Sequence, residues 1–145
     1  MIGYKFMRKN YCCKEFLFEV GKEYTIKGYL KLNKNGFHFC LNPFDCYQYY
    51  NNIDGDKHLF IIETLGDVIN YKNNYATSII RILEEITDIE KLIEDNLTYV
   101  NWNNISKYQK LSERFIEKYK DKLNLKHILE YQELTEDFKN KLNNQ

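Results

Sequence analysis

The alternation of hydrophobic and polar positions changes period once along the chain, near residue 87. Before that point the apolar residues come in short runs with period two or no period, each closed by a turn signal. Tyr4-Lys5-Phe6-Met7-Arg8 partly alternates, and Phe16 to Val20 ends at Gly21-Lys22. Glu23-Tyr24-Thr25-Ile26-Lys27 alternates until Gly28, and Tyr29 to Leu32 reads as a further strand. Strand side chains point alternately to the two faces, so these runs predict short half-buried strands. Asn33-Lys34-Asn35-Gly36 is a turn in which Asn-Gly can adopt positive φ, and Phe37 to Cys40 follows as a buried strand. Asn42-Pro43 has the cap and first-turn residues of a helix running to about Tyr50. His58 to Thr64 has the β-branched and aromatic content of a central strand. Val68 to Tyr71 and Tyr75 to Leu83 supply two more. Strands joined by tight turns favour antiparallel pairing.

From Thr87 the period becomes helical. Thr87 or Asp88 can cap a helix carrying Ile89, Leu92 and Ile93. An internal repeat follows, in which residues 101–123 align with 124–145 at an offset of 23. Trp102 aligns with Leu125, Ile105 with Ile128, Tyr108 with Tyr131, Gln109 with Gln132, Ser112 with Thr135, and Phe115 with Phe138. Each copy predicts two short helices, with Ser112 or Thr135 capping the second, and with Trp102, Ile105, Phe115, Ile128 and Phe138 buried. A hairpin this short cannot bury its apolar face alone. The expected architecture is therefore α+β: a mainly antiparallel sheet with one inserted helix over residues 1–86, and an all-α repeat segment over 87–145 packed on it.

Composition narrows the function classes. Hydrophobic residues make up 43% and charged residues 29% of the chain, with 21 Lys/Arg balancing 21 Asp/Glu. A neutral chain is not captured wholesale by nucleic acid. Residues 1–34 are nevertheless basic, with eight Lys/Arg against three Glu. Lys5, Arg8, Lys9 and Lys14 form a candidate contact patch for an acidic partner. The 13 Tyr and 9 Phe suit half-buried positions and contact surfaces. The four cysteines, Cys12, Cys13, Cys40 and Cys46, match no zinc spacing and are expected as free thiols, with no metal and no cofactor. No window reaches the ~18 apolar residues of a membrane span, and no secretory pattern opens the sequence, so the cytosol is the expected compartment. Asp54-Gly55-Asp56 is a fragment of a calcium-loop pattern without its distal Glu and reads as a turn.

The ordered set Gly3-Tyr4-Lys5, Glu19-Val20-Gly21-Lys22-Glu23-Tyr24, Gly36-Phe37-His38-Phe39-Cys40, Asn42-Pro43, Tyr49-Tyr50 and Gly66-Asp67-Val68 resembles a domain of unknown function found in phage, prophage and giant-virus proteins. The resemblance covers roughly residues 1–90. The segment Ile105 to Ile116 looks like repeats abundant in the same viral sequences. Together they imply a viral or mobile-element origin. Residues Gly36 to Cys40, followed by a helix ending in tyrosines, are also similar to the Gly-x-Tyr-Phe-Ala segment of ADP-ribosyltransferases. That similarity implies a nicotinamide-stacking role for His38, with Tyr4 facing it and Glu63 as the carboxylate that steadies an oxocarbenium-like ribose.

Three functions are expected from these readings. The first is a non-enzymatic interaction protein that binds a host protein or ribonucleoprotein complex, with inhibition of a defence system such as CRISPR as one form of it. The second is an ADP-ribosyltransferase-like NAD-binding domain with a pocket at Tyr4, Gly36, His38 and Glu63. The third is nucleic-acid binding through the basic N-terminal third with tyrosine stacking.

Overall fold

The structure is a computed structural model that describes residues 1–8, 12–13, 16–49 and 57–144, with Cys12 and Cys13 described by backbone alone. It divides into two compact units, Met1–Thr87 and Asp88–Gln145. The class is α+β: antiparallel sheets followed by helices.

Among the described residues, the first unit holds nine strands: β1 Ile2–Met7, β2 Cys12–Cys13, β3 Phe16–Leu17, β4 Glu23–Thr25, β5 Phe37–Phe39, β6 His58–Thr64, β7 Val68–Tyr71, β8 Asn74–Thr77 and β9 Ile79–Ile86. They form a four-stranded sheet in the order β1-β6-β9-β4, a three-stranded sheet β5-β8-β7 and the ribbon β2-β3, and every pairing is antiparallel. Phe60 and Ile62 of β6 and Ile80 and Ile82 of β9 meet Phe37 and Phe39 of β5 in one core. Their alternate spacing puts them on one face of each strand. Phe18 joins them through edge-to-face contacts with Tyr24 and Phe37, an arrangement that the aromatic quadrupole favours. The β6–β9 register shifts between Ile61 and Ile62, so one extra residue on β9 is accommodated there.

Several expectations need correction. Tyr29 to Leu32 is not a strand; its one pairing is an isolated bridge from Lys31 to Asn35 that closes the turn at Asn33. The run from Tyr75 to Leu83 is two strands, because the chain breaks at Ser78 between β8 and β9, and each half joins a different sheet. The helix after Asn42 is 3-10 rather than α, spanning Pro43–Gln48, with the Asn42 side chain accepting from Phe44 N and Pro43 in the first turn. Asp54-Gly55-Asp56 lies outside the described residues.

The second unit holds α1 Ile89–Asp95, α2 Trp102–Tyr108, α3 Glu113–Tyr119, α4 Leu125–Tyr131 and α5 Glu136–Asn143, with a 3-10 turn at Leu97–Tyr99. All five α-helices begin on a side-chain cap. Asp88, Asn101, Ser112, Asn124 and Thr135 each accept a hydrogen bond from a backbone N–H three residues on. A cap of this kind satisfies one of the orphan donors of a helix N-terminus. The helices are joined by contacts that recur along the chain. Glu90 accepts from Ser112 N at 2.6 Å, and Glu113 accepts from Thr135 N at 2.6 Å. Glu94 pairs with Lys118, and Glu117 with Lys141. Thus α1, α3 and α5 meet as successive rungs through the same side-chain chemistry, with α1 acting as a rung ahead of the two aligned segments.

Ile105, Phe115 and Ile128 are buried, as their spacing requires. Trp102 and Phe138 are only half-buried. Trp102 leans on Tyr119 and carries Lys122 over its ring, so one edge stays in solvent. The helical spacing identified the right face but not how far the indole reaches into it. Among the described residues, no helix is long and apolar enough to cross a membrane.

Candidate functional site

Gly36 is the point from which the site is built. Its φ of +148° falls in the region that favours glycine, and a Cβ there would sit 2.7 Å from Leu30 Cδ1 and 3.2 Å from the Cβ of Ala76. The missing side chain lets the turn before β5 close against β8, where Phe37 pairs with Thr77, His38 with Ala76 and Phe39 with Tyr75. Phe37 and Phe39 point into the core, and His38 lies half-buried on the opposite face.

That face opens into a pocket of about 310 Å³ lined by Asn33, His38, Phe39, Cys40, Cys46, Tyr49 and Asn74. One wall is a hydrogen-bonded chain. Asn74 donates from Nδ2 to Asn33 Oδ1 at 2.9 Å, and Asn33 donates its backbone N–H to His38 Nε2 at 2.8 Å. Accepting at Nε2 makes His38 a neutral imidazole that carries its proton on Nδ1. The opposite wall is the end of the 3-10 helix. Burial, and behind it the charge a Cys40 thiolate would carry, raises the Tyr49 pKa, so the phenol keeps its proton as a donor. Between the walls lie Cys40 and Cys46, both buried and both free thiols. A side-chain hydrogen bond with Cys40, together with burial, pushes the Cys46 thiol well above its ordinary pKa. Cavities of this kind, apolar with a few convergent polar groups, typically measure ~300–1,000 Å³.

Of the four residues expected to share one ligand site, His38 lines the pocket and Gly36 shapes it. Tyr4 and Glu63 are not among its lining residues. Tyr4 acts through its backbone: its N–H donates to Cys40 O at 2.7 Å, and its carbonyl accepts from Cys40 N at 2.9 Å and from Cys46 Sγ at 3.4 Å. Glu63 of β6 stands opposite Arg81 of β9 and is held by its guanidinium at 3.0 Å, with Glu23 on the other side of the same arginine. Strand register therefore commits Glu63 to a cross-strand ion pair. Sequence reasoning missed Asn33 and Asn74, which are 41 residues apart and meet only because β5 pairs with β8.

The basic patch needs a similar correction. Lys5 is 2% exposed, on the inward face of β1 with Gly3 and Met7, and its ammonium donates to His38 O at 2.9 Å. It braces β5 from beneath and is no surface contact. Arg8 is exposed. Lys9 and Lys14 lie outside the described residues. A second concavity, between α1 and α3, is lined by Glu90, Lys91, Glu94, Arg114 and Lys118 among others. Four of these are already engaged: Glu94 and Lys118 by each other, Glu90 by Ser112 and Lys91 by Asp95. Among the described residues, no cluster of three His, Cys, Asp or Glu side chains could hold a metal ion.

A family model described as Domain of unknown function (DUF7666) matches residues 1–95, and the chain belongs to that family. No curated protein and no solved structure matches it.

Proposed function

We propose that this DUF7666 member is a ligand-binding module whose β5 pocket receives a planar, amide-bearing ring of the nicotinamide type, as in an ADP-ribosyltransferase-like NAD-binding domain, without transferring the ribose. The observation that carries the reading is the convergence of His38, Asn33, Asn74 and Tyr49 on one pocket. A carboxamide presents one acceptor and two donors, and side-chain amides answer both. Tyr49 supplies aromatic surface for the ring. Transfer chemistry would need a carboxylate beside the ribose, and Glu63 is engaged by Arg81 instead. At about 310 Å³ the pocket suits the nicotinamide end of NAD, with the adenosine half left outside.

Titration calorimetry with NAD, with nicotinamide and with adenosine diphosphate tests this reading. NAD and nicotinamide are expected to bind and adenosine diphosphate is not. His38→Ala is expected to weaken NAD by about tenfold, roughly 1.4 kcal/mol. No heat from NAD or nicotinamide at millimolar concentration would contradict the reading.

A second reading is an interaction protein of viral or mobile-element origin that binds a host protein or ribonucleoprotein in the cytosol. Its support is the solvent-facing tyrosines of the first unit: Tyr29 is 95% and Tyr71 68% exposed. Tyrosine gives large, amphipathic contact area at low entropic cost. Capture of a host protein that is lost with Tyr29→Ala and Tyr71→Ala, yet kept with His38→Ala, would favour this reading over the first.

A further inference from the structure

Cys40 and Cys46 come from two different elements, the end of β5 and the 3-10 helix, yet both line the same pocket. Tyr4 holds both. Its backbone bonds Cys40 in both directions, and its carbonyl accepts from the Cys46 thiol. The Cys40 N–H and the Cys46 thiol therefore share one acceptor, Tyr4 O, at 2.9 and 3.4 Å, which sets the two residues side by side. Both are buried, with Cys46 0% exposed, and the pocket they line opens toward them.

We propose that Cys40 and Cys46 are a redox pair, closing to a reversible intramolecular disulfide by exchange with a low-molecular-weight disulfide that enters the β5 pocket. The proposal does not depend on what ring the pocket binds. In the first step the Cys40 thiol gives its proton to water, and its thiolate attacks one sulfur of the small disulfide. The S–S bond of the reagent breaks, and one small thiolate leaves and takes up a proton. In the second step Cys46 loses its proton and attacks the Cys40 sulfur of the mixed disulfide, releasing the second small thiol. The protein dithiol loses two electrons, and the reagent gains them as two thiols. Cys40 acts first because Cys46 is occupied as a hydrogen-bond donor to Tyr4 O, and because the neighbouring Cys40 sulfur opposes a second negative charge beside it. Once Cys40 is capped, that opposition is gone. The bridge would tie the end of β5 to the 3-10 helix and make the pocket's shape depend on redox state.

Peptide mapping of the folded full chain tests the pair without any substitution. Cleavage after Lys34 and Lys57 leaves both cysteines on one peptide, residues 35–57. After equilibration with oxidised glutathione and alkylation, this peptide is expected to be lighter than its reduced, unalkylated form by two hydrogens and to carry no alkyl group. Reduction should restore two alkylation sites. Two alkylated cysteines on this peptide, under conditions that oxidise the denatured chain, would overturn the proposal. With Cys46→Ser, Cys40 is expected to stop at a glutathione mixed disulfide. An unmodified Cys40 in that variant, with Cys46 glutathionylated in Cys40→Ser, would overturn the assigned order.

Discussion

Gly36→Val is expected to lower the unfolding free energy by about 3 kcal/mol or more, from a strained positive φ and an overpacked contact together. A β-branched residue is a poor occupant of φ +148°, and its Cβ would meet Leu30 Cδ1 at 2.7 Å. The strain falls on the turn that sets β5 against β8, so the pocket should loosen along with the fold. Urea unfolding of the wild type and the variant measures the difference. A loss under ~1 kcal/mol would mean that Leu30 gives way and the backbone relaxes at little cost.

The second large effect is expected in the helical unit. The Gln132 side chain satisfies three backbone groups of the preceding segment. Its Oε1 accepts from Leu111 N at 3.0 Å, and its Nε2 donates to Ser106 O at 3.1 Å and Gln109 O at 2.6 Å. These groups flank the break between α2 and α3, where the backbone has no helical partner to offer. Gln132→Ala takes a partner from each of them, with Ser106 and Leu111 buried, at an expected cost of about 3 kcal/mol. The adjacent Glu133, whose side chain is 90% exposed, makes only a 3.8 Å pair with Lys110. Glu133→Ala should change stability by under ~0.5 kcal/mol. Equal losses at the two positions would remove Gln132 from its assigned role.

These two residues differ in how far the sequence announced them. Gly36 could be read from Asn35-Gly36 before an apolar run, because backbone geometry is local and glycine marks it. Gln132 was visible as the counterpart of Gln109, but not its partners, which lie 21 to 26 residues away. The caps Ser112 and Thr135 were legible for the same local reason, as short polar side chains just before an apolar helical period, whereas the caps Asn101 and Asn124 were not read as such. Lys5 was not legible. A lysine in a basic stretch reads as solvated, and only the pairing of β1 with β6 shows that its position faces inward. The break at Ser78 was hidden by the β-forming residues on both sides of it. Of the candidate site, the sequence exposed the β5 segment and its glycine. Asn33, Asn74, Cys46 and Tyr49 reach the pocket through turns and tertiary pairing, for which the chain carries no periodic signal.

The proposed binding of a nicotinamide-type ring in the β5 pocket is open to a residue-by-residue test. Its most direct form is a nitrogen–proton correlation spectrum of the labelled full chain titrated with nicotinamide. The side-chain amides of Asn33 and Asn74 and the backbone amides of Phe39, Cys40 and Tyr49 are expected to shift together and saturate at one dissociation constant, while α2 to α5 stay still. Shifts that never saturate, or that gather on the helices and leave Asn33 and Asn74 unmoved, would contradict it.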